Sequence, residues 1–261
     1  MYFVRKKGII SATECWFSVP KELPHNTPKI RLFYDLTTPY VLKKGEYLLE
    51  SRGEESGTLL TDLTQAESDL LGVCDSTTRY EIRRAFKDGV ECKYFSSEAI
   101  LEGSSVIDQF ETEYSQMHKD KGMMHTSAKP YLQQLAWAKA LTITTASIDD
   151  QVVAYHTYVQ GDGVARLLHS VSTFREVKSN SDRNAIARAN RLLHYKDMLL
   201  FKREGYRIYD WGGYSEREDV ASISSFKKGF GGKLAPSYYA KTTTSRVLQL
   251  CFRVYRKVLK F

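Results

Sequence analysis

Cysteine is scarce in this 261-residue chain, and its four copies lie scattered at Cys15, Cys74, Cys92 and Cys251, with no CxxC pair. Metal and redox-motif readings therefore have little to rest on. Long apolar runs are missing too. No stretch approaches the roughly 18 apolar residues of a membrane span. The opening MYFVRKKGII lacks the apolar core and small-residue cleavage site of a signal peptide. A cytoplasmic place with reduced thiols, reaching to the inner face of the membrane, is the expectation. Internal repeats and low-complexity tracts are also absent.

Acidic residues run out early. None follows Asp219, whereas Lys227, Lys228, Lys233, Lys241, Arg246, Arg253, Arg256, Lys257 and Lys260 do. Those nine cations more than account for the net charge of +7. A basic end of this kind suits an anionic partner such as a phosphate, an RNA backbone or a lipid headgroup, or it is a solvated tail. What remains is ordinary for a globular protein, with 42% hydrophobic and 26% charged residues, so disorder is not expected. The 17 Tyr and 12 Phe suit an open groove lined by rings.

Periodicity then gives the elements. Up to about residue 63 the chain mixes short β-rich runs (9–19, 29–35, 46–50) with Pro and Gly punctuation. Helices are predicted over 64–71, with Thr64 and Glu67 spaced as a capping box, and over 77–88, stopped by Gly89. A strand over 90–95 and helices over 104–121 and 128–139 follow. Residues 141–148, 151–160 and 164–173 read as three antiparallel strands turned at Asp149-Asp150 and Gly161-Asp162-Gly163. A long helix over 182–204 ends at Gly205. A short strand over 206–211, a helix over 219–228, a strand over 234–241 and an amphipathic helix from Ser245 complete the chain. The order implies an α+β architecture, a mixed, mostly antiparallel sheet flanked by helices. A parallel strand set beside the meander by the long helix would need a right-handed crossover. The expected division is 1–63 as a β-rich part, 64–244 as the main α+β domain and 245–261 as a basic C-terminal helix.

Three stretches carry a resemblance. Residues 77–94, TTRYEIRRAFKDGVECKY, are similar to a helix-and-strand segment of the FemABX peptidyltransferases. Residues 188–213, RANRLLHYKDMLLFKREGYRIYDWGG, are similar to their long helix, Gly-Tyr turn and strand end. Residues 223–232, ISSFKKGFGG, resemble the signature that follows. The resemblance implies a GNAT-like N-acyltransferase fold. It also implies an activity in which an acyl group leaves a CoA thioester, or an aminoacyl group leaves tRNA, for an amine. The implied acceptor is a cell-envelope or polysaccharide precursor. No long charged coiled-coil insertion is present, which sets acyl-CoA slightly ahead of aminoacyl-tRNA as co-substrate. The CoA-binding Gln/Arg-x-x-Gly-x-Gly/Ala signature is missing between Thr173 and Asn190, so both donors stay open.

Acyl transfer needs a deprotonated amine and a stabilised oxyanion. The resemblance places Lys227 near the reacting carbonyl with Phe226 shaping the pocket, although a surface lysine on a basic segment has the same pattern. Asp210 either accepts a proton or caps the turn that follows it. Arg183, Asn184 and Arg188, at the start of the long helix, are candidates for the donor's phosphates, because free N–H groups and the helix dipole attract anions. Arg79 and Arg83 match the family's first segment, and Tyr209 and Trp211 flank Asp210 as candidate substrate contacts. His156, His169 and His194 show no metal spacing and read as ordinary core or surface residues; no metal is expected. The last helix, with Val247, Leu250, Cys251, Val254, Val258 and Phe261 on one side, either packs on its own domain or makes a peripheral membrane contact through 245–261. The reading of another class is a non-catalytic GNAT-like module that binds RNA or membrane.

Overall fold

The structure, a computed structural model, describes residues 1–53, 57–175, 177–217 and 221–258. In chain order the elements begin with β1 (Tyr2–Lys7), β2 (Ile10–Trp16), β3 (Ile30–Leu36), β4 (Tyr47–Arg52) and β5 (Gly57–Asp62). Then come α1 (Glu67–Gly72), α2 (Ser76–Lys87), β6 (Glu91–Ser96), α3 (Ser97–Leu101), α4 (Val106–Asp120) and α5 (Lys129–Trp137). The second half holds β7 (Leu141–Ile148), β8 (Gln151–Gly161), β9 (Val164–Ser172), α6 (Asn180–Arg203), β10 (Ile208–Tyr214), α7 (Ala221–Lys228), β11 (Lys233–Pro236), β12 (Tyr238–Thr243) and α8 (Arg246–Val258). The expected 219–228 helix begins on residues outside the described ones, as does the far end of 245–261.

Two compact units form. The smaller comprises 1–58, 213–215 and 234–261, and the larger 59–212 and 216–233. The units' bounds lie elsewhere than 63 and 244 because β12 does not join the larger unit's sheet. It pairs antiparallel with β3 and β4 instead, in the smaller unit's sheet β1-β2-β3-β12-β4. Ser237 splits the expected 234–241 strand, its hydroxyl donating to Asp35 at 2.7 Å. Behind this sheet Cys15, Phe33, Leu36 and Ala240 form a buried cluster. β1 escaped the periodicity because only Phe3 of its six residues is buried.

The larger unit carries the strand order β5-β10-β9-β8-β7-β6. β6, β7, β8 and β9 form an antiparallel meander. Its turns use the residues the sequence offers: Asp149, Asp150 and Asp162 all have positive φ (49°, 62° and 51°), which Asp tolerates better than most residues. β10 then pairs parallel with β9, Ile208 opposite Val164 and Asp210 opposite Arg166. A parallel neighbour needs a crossover, and the 24-residue α6 supplies it. Ile186, Ala189 and Leu193 of α6 bury against Ala146, Val153 and Ala154 of the sheet. Each such side chain contributes about 1.5–3 kcal/mol by leaving water if it is as large as leucine. On its other flank α6 meets α2 through Arg191–Glu81 (2.9 Å) and Arg188–Asp88 (3.2 Å).

Caps correct one expectation. Thr64 does not open a capping box: its N–H and hydroxyl both donate to Asp62, and α1 begins at Glu67 without a side-chain cap. α2 is capped by Asp75, which accepts the N–H of Thr78 at 2.6 Å. Gly89 and Gly205 end α2 and α6 at positive φ, as their positions suggested.

Candidate active site

Strand β8 alternates, so His156 and Tyr158 point to one side of the sheet. On α6, Asn190, His194 and Asp197 follow at i, i+4 and i+7 and share one helix face. The sheet brings Tyr209 and Trp211 of β10 to the same place. The result is a buried polar chain in the larger unit. Tyr158, His156 and Tyr209 are fully buried, and His194 and Asp197 are 1% and 2% exposed.

Its hydrogen bonds have a direction. Asp197, as a carboxylate, only accepts, and it accepts the hydrogen bond that the Tyr158 hydroxyl donates at 2.6 Å. With that proton committed, the Tyr158–Tyr209 contact of 2.8 Å runs from the Tyr209 hydroxyl to the Tyr158 oxygen. Tyr209 then has only its lone pairs left for His194, whose Nδ1–H donates to it at 2.8 Å. One tautomer follows: Nδ1 of His194 carries the hydrogen and Nε2 keeps its lone pair. Burial pushes both tyrosines well above the ordinary phenol pKa, aided by the Asp197 charge, so both remain donors. Burial, then His156, Lys227 and Arg191, push His194 well below the ordinary imidazole value, so it is neutral near pH 7.

His156 braces the chain from the side. Its Nδ1 meets Asp197 at 2.7 Å, its Nε2 meets Asn190 Oδ1 at 2.9 Å, and its ring stacks on His194 at 3.9 Å. His156, His194 and Asp197 offer ligand atoms within 4.8 Å of one another. Those of His156 and Asp197 are turned on each other and on Asn190 and Tyr158, an arrangement for hydrogen bonding rather than for holding a cation.

His194 and Asn190 line a cavity of about 320 Å³, together with Trp211, Phe226, Lys227 and Ser170. Lys121 and Arg175 add positive charge to its wall. The Lys227 ammonium lies 3.5 Å from the Gly212 carbonyl. Burial and then Arg166 lower its pKa to about 8, against the opposing pull of Asp210. Phe226 stands 5.5 Å from the His194 ring, with the Arg191 guanidinium 4.9 Å above its own ring. Two glycines of the motifs are there for packing. Gly212 has φ +69°, and a Cβ would come within 2.8 Å of the Leu167 carbonyl; at Gly231 (φ +77°) one would come within 2.5 Å of the Val73 carbonyl.

Of the residues singled out from the sequence, Lys227, Phe226 and Trp211 meet in this cavity. Tyr209 lies behind it as a link in the chain. Asp210 is buried and its Oδ1 accepts the Gly212 N–H at 2.7 Å within β10, which runs on to Tyr214 where the sequence suggested a turn. Arg183, Asn184 and Arg188 are not among the cavity's residues. Arg183 donates to the Val177 carbonyl, Arg188 pairs with Asp88, and Asn184 is exposed on the helix. The first turn of α6 is already served by the Ser179 hydroxyl and by Asp182, whose negative charge repels an anion there. Arg79 donates to the Gly72 and Cys74 carbonyls and so ends α1, and Arg83 is exposed. His156 and His194 are neither ordinary core nor surface residues. His169 is nearer to that description, its Nδ1 on the Thr157 hydroxyl at 2.7 Å and its ring against Phe110 and Tyr114.

This architecture, mixed sheets flanked by helices, is a fold shared with FemX. No known family matches the sequence, and no curated protein does. The crystal structure of FemX superposes with a TM-score of 0.62 at 10% identity, covering 92% of this chain and 83% of FemX. A domain from Agrobacterium fabrum, described as the C-terminal part of a lysylphosphatidylglycerol synthetase, superposes at 0.54 with 11% identity, over 97% of this chain and 83% of its own. L-PGS from Bacillus licheniformis gives 0.51 at 11% identity, over 87% and 72%. At such identities the likeness is one of fold.

Proposed function

We propose that the protein is an acyltransferase that moves an acyl group from an activated ester or thioester onto an amine, with His194 as the general base and Lys227 as the oxyanion's counter-charge. The observation that carries this is the directed chain from Asp197 to His194, which leaves the lone pair on Nε2 of a residue that lines the same cavity as the half-buried Lys227.

In the reaction the amine nitrogen attacks the acyl carbon, and the carbonyl oxygen gathers negative charge near the Lys227 ammonium. His194 Nε2 takes the proton from the nitrogen as the C–N bond is completed. A base of depressed pKa suffices, because that nitrogen is cationic and acidic once bonded to carbon. The imidazolium, unstable in this buried place, returns the proton to the departing oxygen or sulfur as its bond to carbon breaks. Asp197, through the two tyrosines, holds His194 in the required tautomer throughout.

The donor reading that gains support is an aminoacyl ester of tRNA, with a CoA thioester second. The capped, acidic first turn of α6 is a poor seat for a diphosphate, and FemX and the domain described as part of a lysylphosphatidylglycerol synthetase superpose at TM-scores of 0.62 and 0.54. The acceptor class proposed, an amine-bearing cell-envelope precursor, is the one that the sequence resemblance implies.

Transfer assays with charged tRNA and with an acyl-CoA series, offered amino-sugar, peptide and lipid-linked amines, test the reading. Lys227→Ala should lower turnover by about a hundredfold or more with the circular dichroism unchanged. Wild-type turnover should fall as pH rises through about 8, where the ammonium is lost, and Lys227→Arg should move that limb upward. Transfer from neither donor to any amine would overturn the proposal.

A further inference from the structure

The smaller unit carries a surface that folding leaves unfinished. α8 lies along the sheet face, and Leu248, Cys251, Phe252 and Tyr255 look across a groove of about 750 Å³ at Ile10, Ala12 and Leu49. Yet no residue of α8 is buried. Val247, Leu250, Val254 and Val258, at i, i+3, i+7 and i+11, form a stripe beside that inward face, and they are 69%, 53%, 61% and 65% exposed. The groove is shared with the β1–β2 hairpin through Arg5, Lys7 and Ile10. At the hairpin's tip, Gly8 turns the chain at φ +58° and Ile9 stands fully in solvent.

Cations frame both projections. Lys6 and Lys7 precede Ile9, Lys241 holds its ammonium 4.8 Å from the Phe252 ring, and Arg246, Arg253, Arg256 and Lys257 occupy the remaining side of α8. No acidic residue occurs in 1–13 or after Asp219. An apolar stripe in water costs free energy, and one ringed by cations matches a layer that is apolar within and anionic at its rim.

We infer that the hairpin tip and α8 together form a docking surface for an anionic lipid bilayer, with Ile9 and the Val247–Val258 stripe entering the acyl boundary and the surrounding Lys and Arg meeting headgroups. A second copy of the chain is a poorer occupant, because a two-fold contact would set these cations against their own kind. A nucleic acid would use the cations and leave the stripe in water. A bilayer asks for no shape match between two separate apolar projections.

The surface is independent of the acyl-transfer reading, and it is tested without any donor. The protein is sedimented with vesicles of phosphatidylcholine alone and of phosphatidylcholine mixed with phosphatidylglycerol. Binding is expected only to the mixed vesicles, weakening as salt shortens the reach of the charges. Leu250→Glu with Val254→Glu should lower the partition coefficient by about tenfold or more, and Ile9→Glu by less. Arg253→Glu with Arg256→Glu should abolish the preference for the anionic vesicles. These side chains are exposed, and circular dichroism verifies that each variant folds. Binding unchanged by the variants, absence of binding to either vesicle, or a dimer that the stripe variants split without any vesicle binding would each overturn the inference.

Discussion

Both units bury charged groups, and they finish them differently. In the smaller unit each buried carboxylate is closed off by a cation. Glu14 takes Arg5 at 2.7 Å and the Trp16 indole N–H at 3.3 Å, and Glu46 takes Arg31, the Tyr40 hydroxyl at 2.6 Å and the Lys43 N–H at 3.0 Å. Asp197 in the larger unit has no arginine or lysine among its hydrogen-bond partners, which are the Tyr158 hydroxyl at 2.6 Å and His156 Nδ1 at 2.7 Å. Its charge is handed through two phenols to an imidazole at the edge of a cavity. A closed pair fixes a fold, whereas a chain that ends in an unshared lone pair can move a proton. That difference separates structural from chemical burial here, and it is open to direct attack.

The largest effect is expected at the open end. His194→Ala removes the base and should reduce turnover by about 10²–10⁴-fold, with acceptor binding little changed. Equal losses in binding and turnover would instead make His194 a wall of the cavity. Breaking the chain one link back should do less. Tyr209→Phe keeps the ring packed against Trp211 but leaves the His194 Nδ1–H without its acceptor, so the imidazole can turn over to the wrong tautomer. A loss of about ten- to hundredfold is expected. The limb at pH about 8 should stay in place, because it belongs to Lys227. A limb that moved with Tyr209→Phe would tie the chain to the ammonium and sink the division of roles.

Legibility followed the same line. Lys227, Phe226 and Trp211 were visible because they sit in short contiguous motifs, and the meander because Asp-Asp and Gly-Asp-Gly mark its turns. The chain from Asp197 to His194 was not, since its members come from β8, α6 and β10 and meet only when the sheet forms. One signal was there. Asn190, His194 and Asp197 interrupt the apolar stripe of α6 at helical spacing, and His156 and Tyr158 do the same on one face of β8. Polar residues that repeat at the period of a buried face are either errors of assignment or a network, and pairing two such faces would have found it. The arginines at the start of α6 lie apart from the cavity that His194 lines. A helix N-terminus attracts anions in general, but Ser179 and Asp182 had already met that need locally.

The smallest effect sharpens the closed side of the comparison. Burial alone would raise the Glu46 pKa, but the bonds from Tyr40, the Lys43 N–H and Arg31 outweigh it and hold the carboxyl below its ordinary 4.5. A folded-state value below the unfolded one means that the unfolded chain binds the proton more tightly. The stabilisation is therefore complete above about pH 4.5 and is lost as pH falls through the folded-state value. Glu46→Gln keeps the shape and removes the charge. It should cost about 1–3 kcal/mol in urea unfolding at pH 7, because Arg31 is left half-buried with a weaker partner. The gap between wild type and variant should narrow towards pH 3, as the wild-type carboxyl protonates, while acyl transfer is untouched at neutral pH. A gap that stayed constant with pH would assign the cost to packing rather than charge, and Glu46 would then no longer stand as the closed counterpart of Asp197.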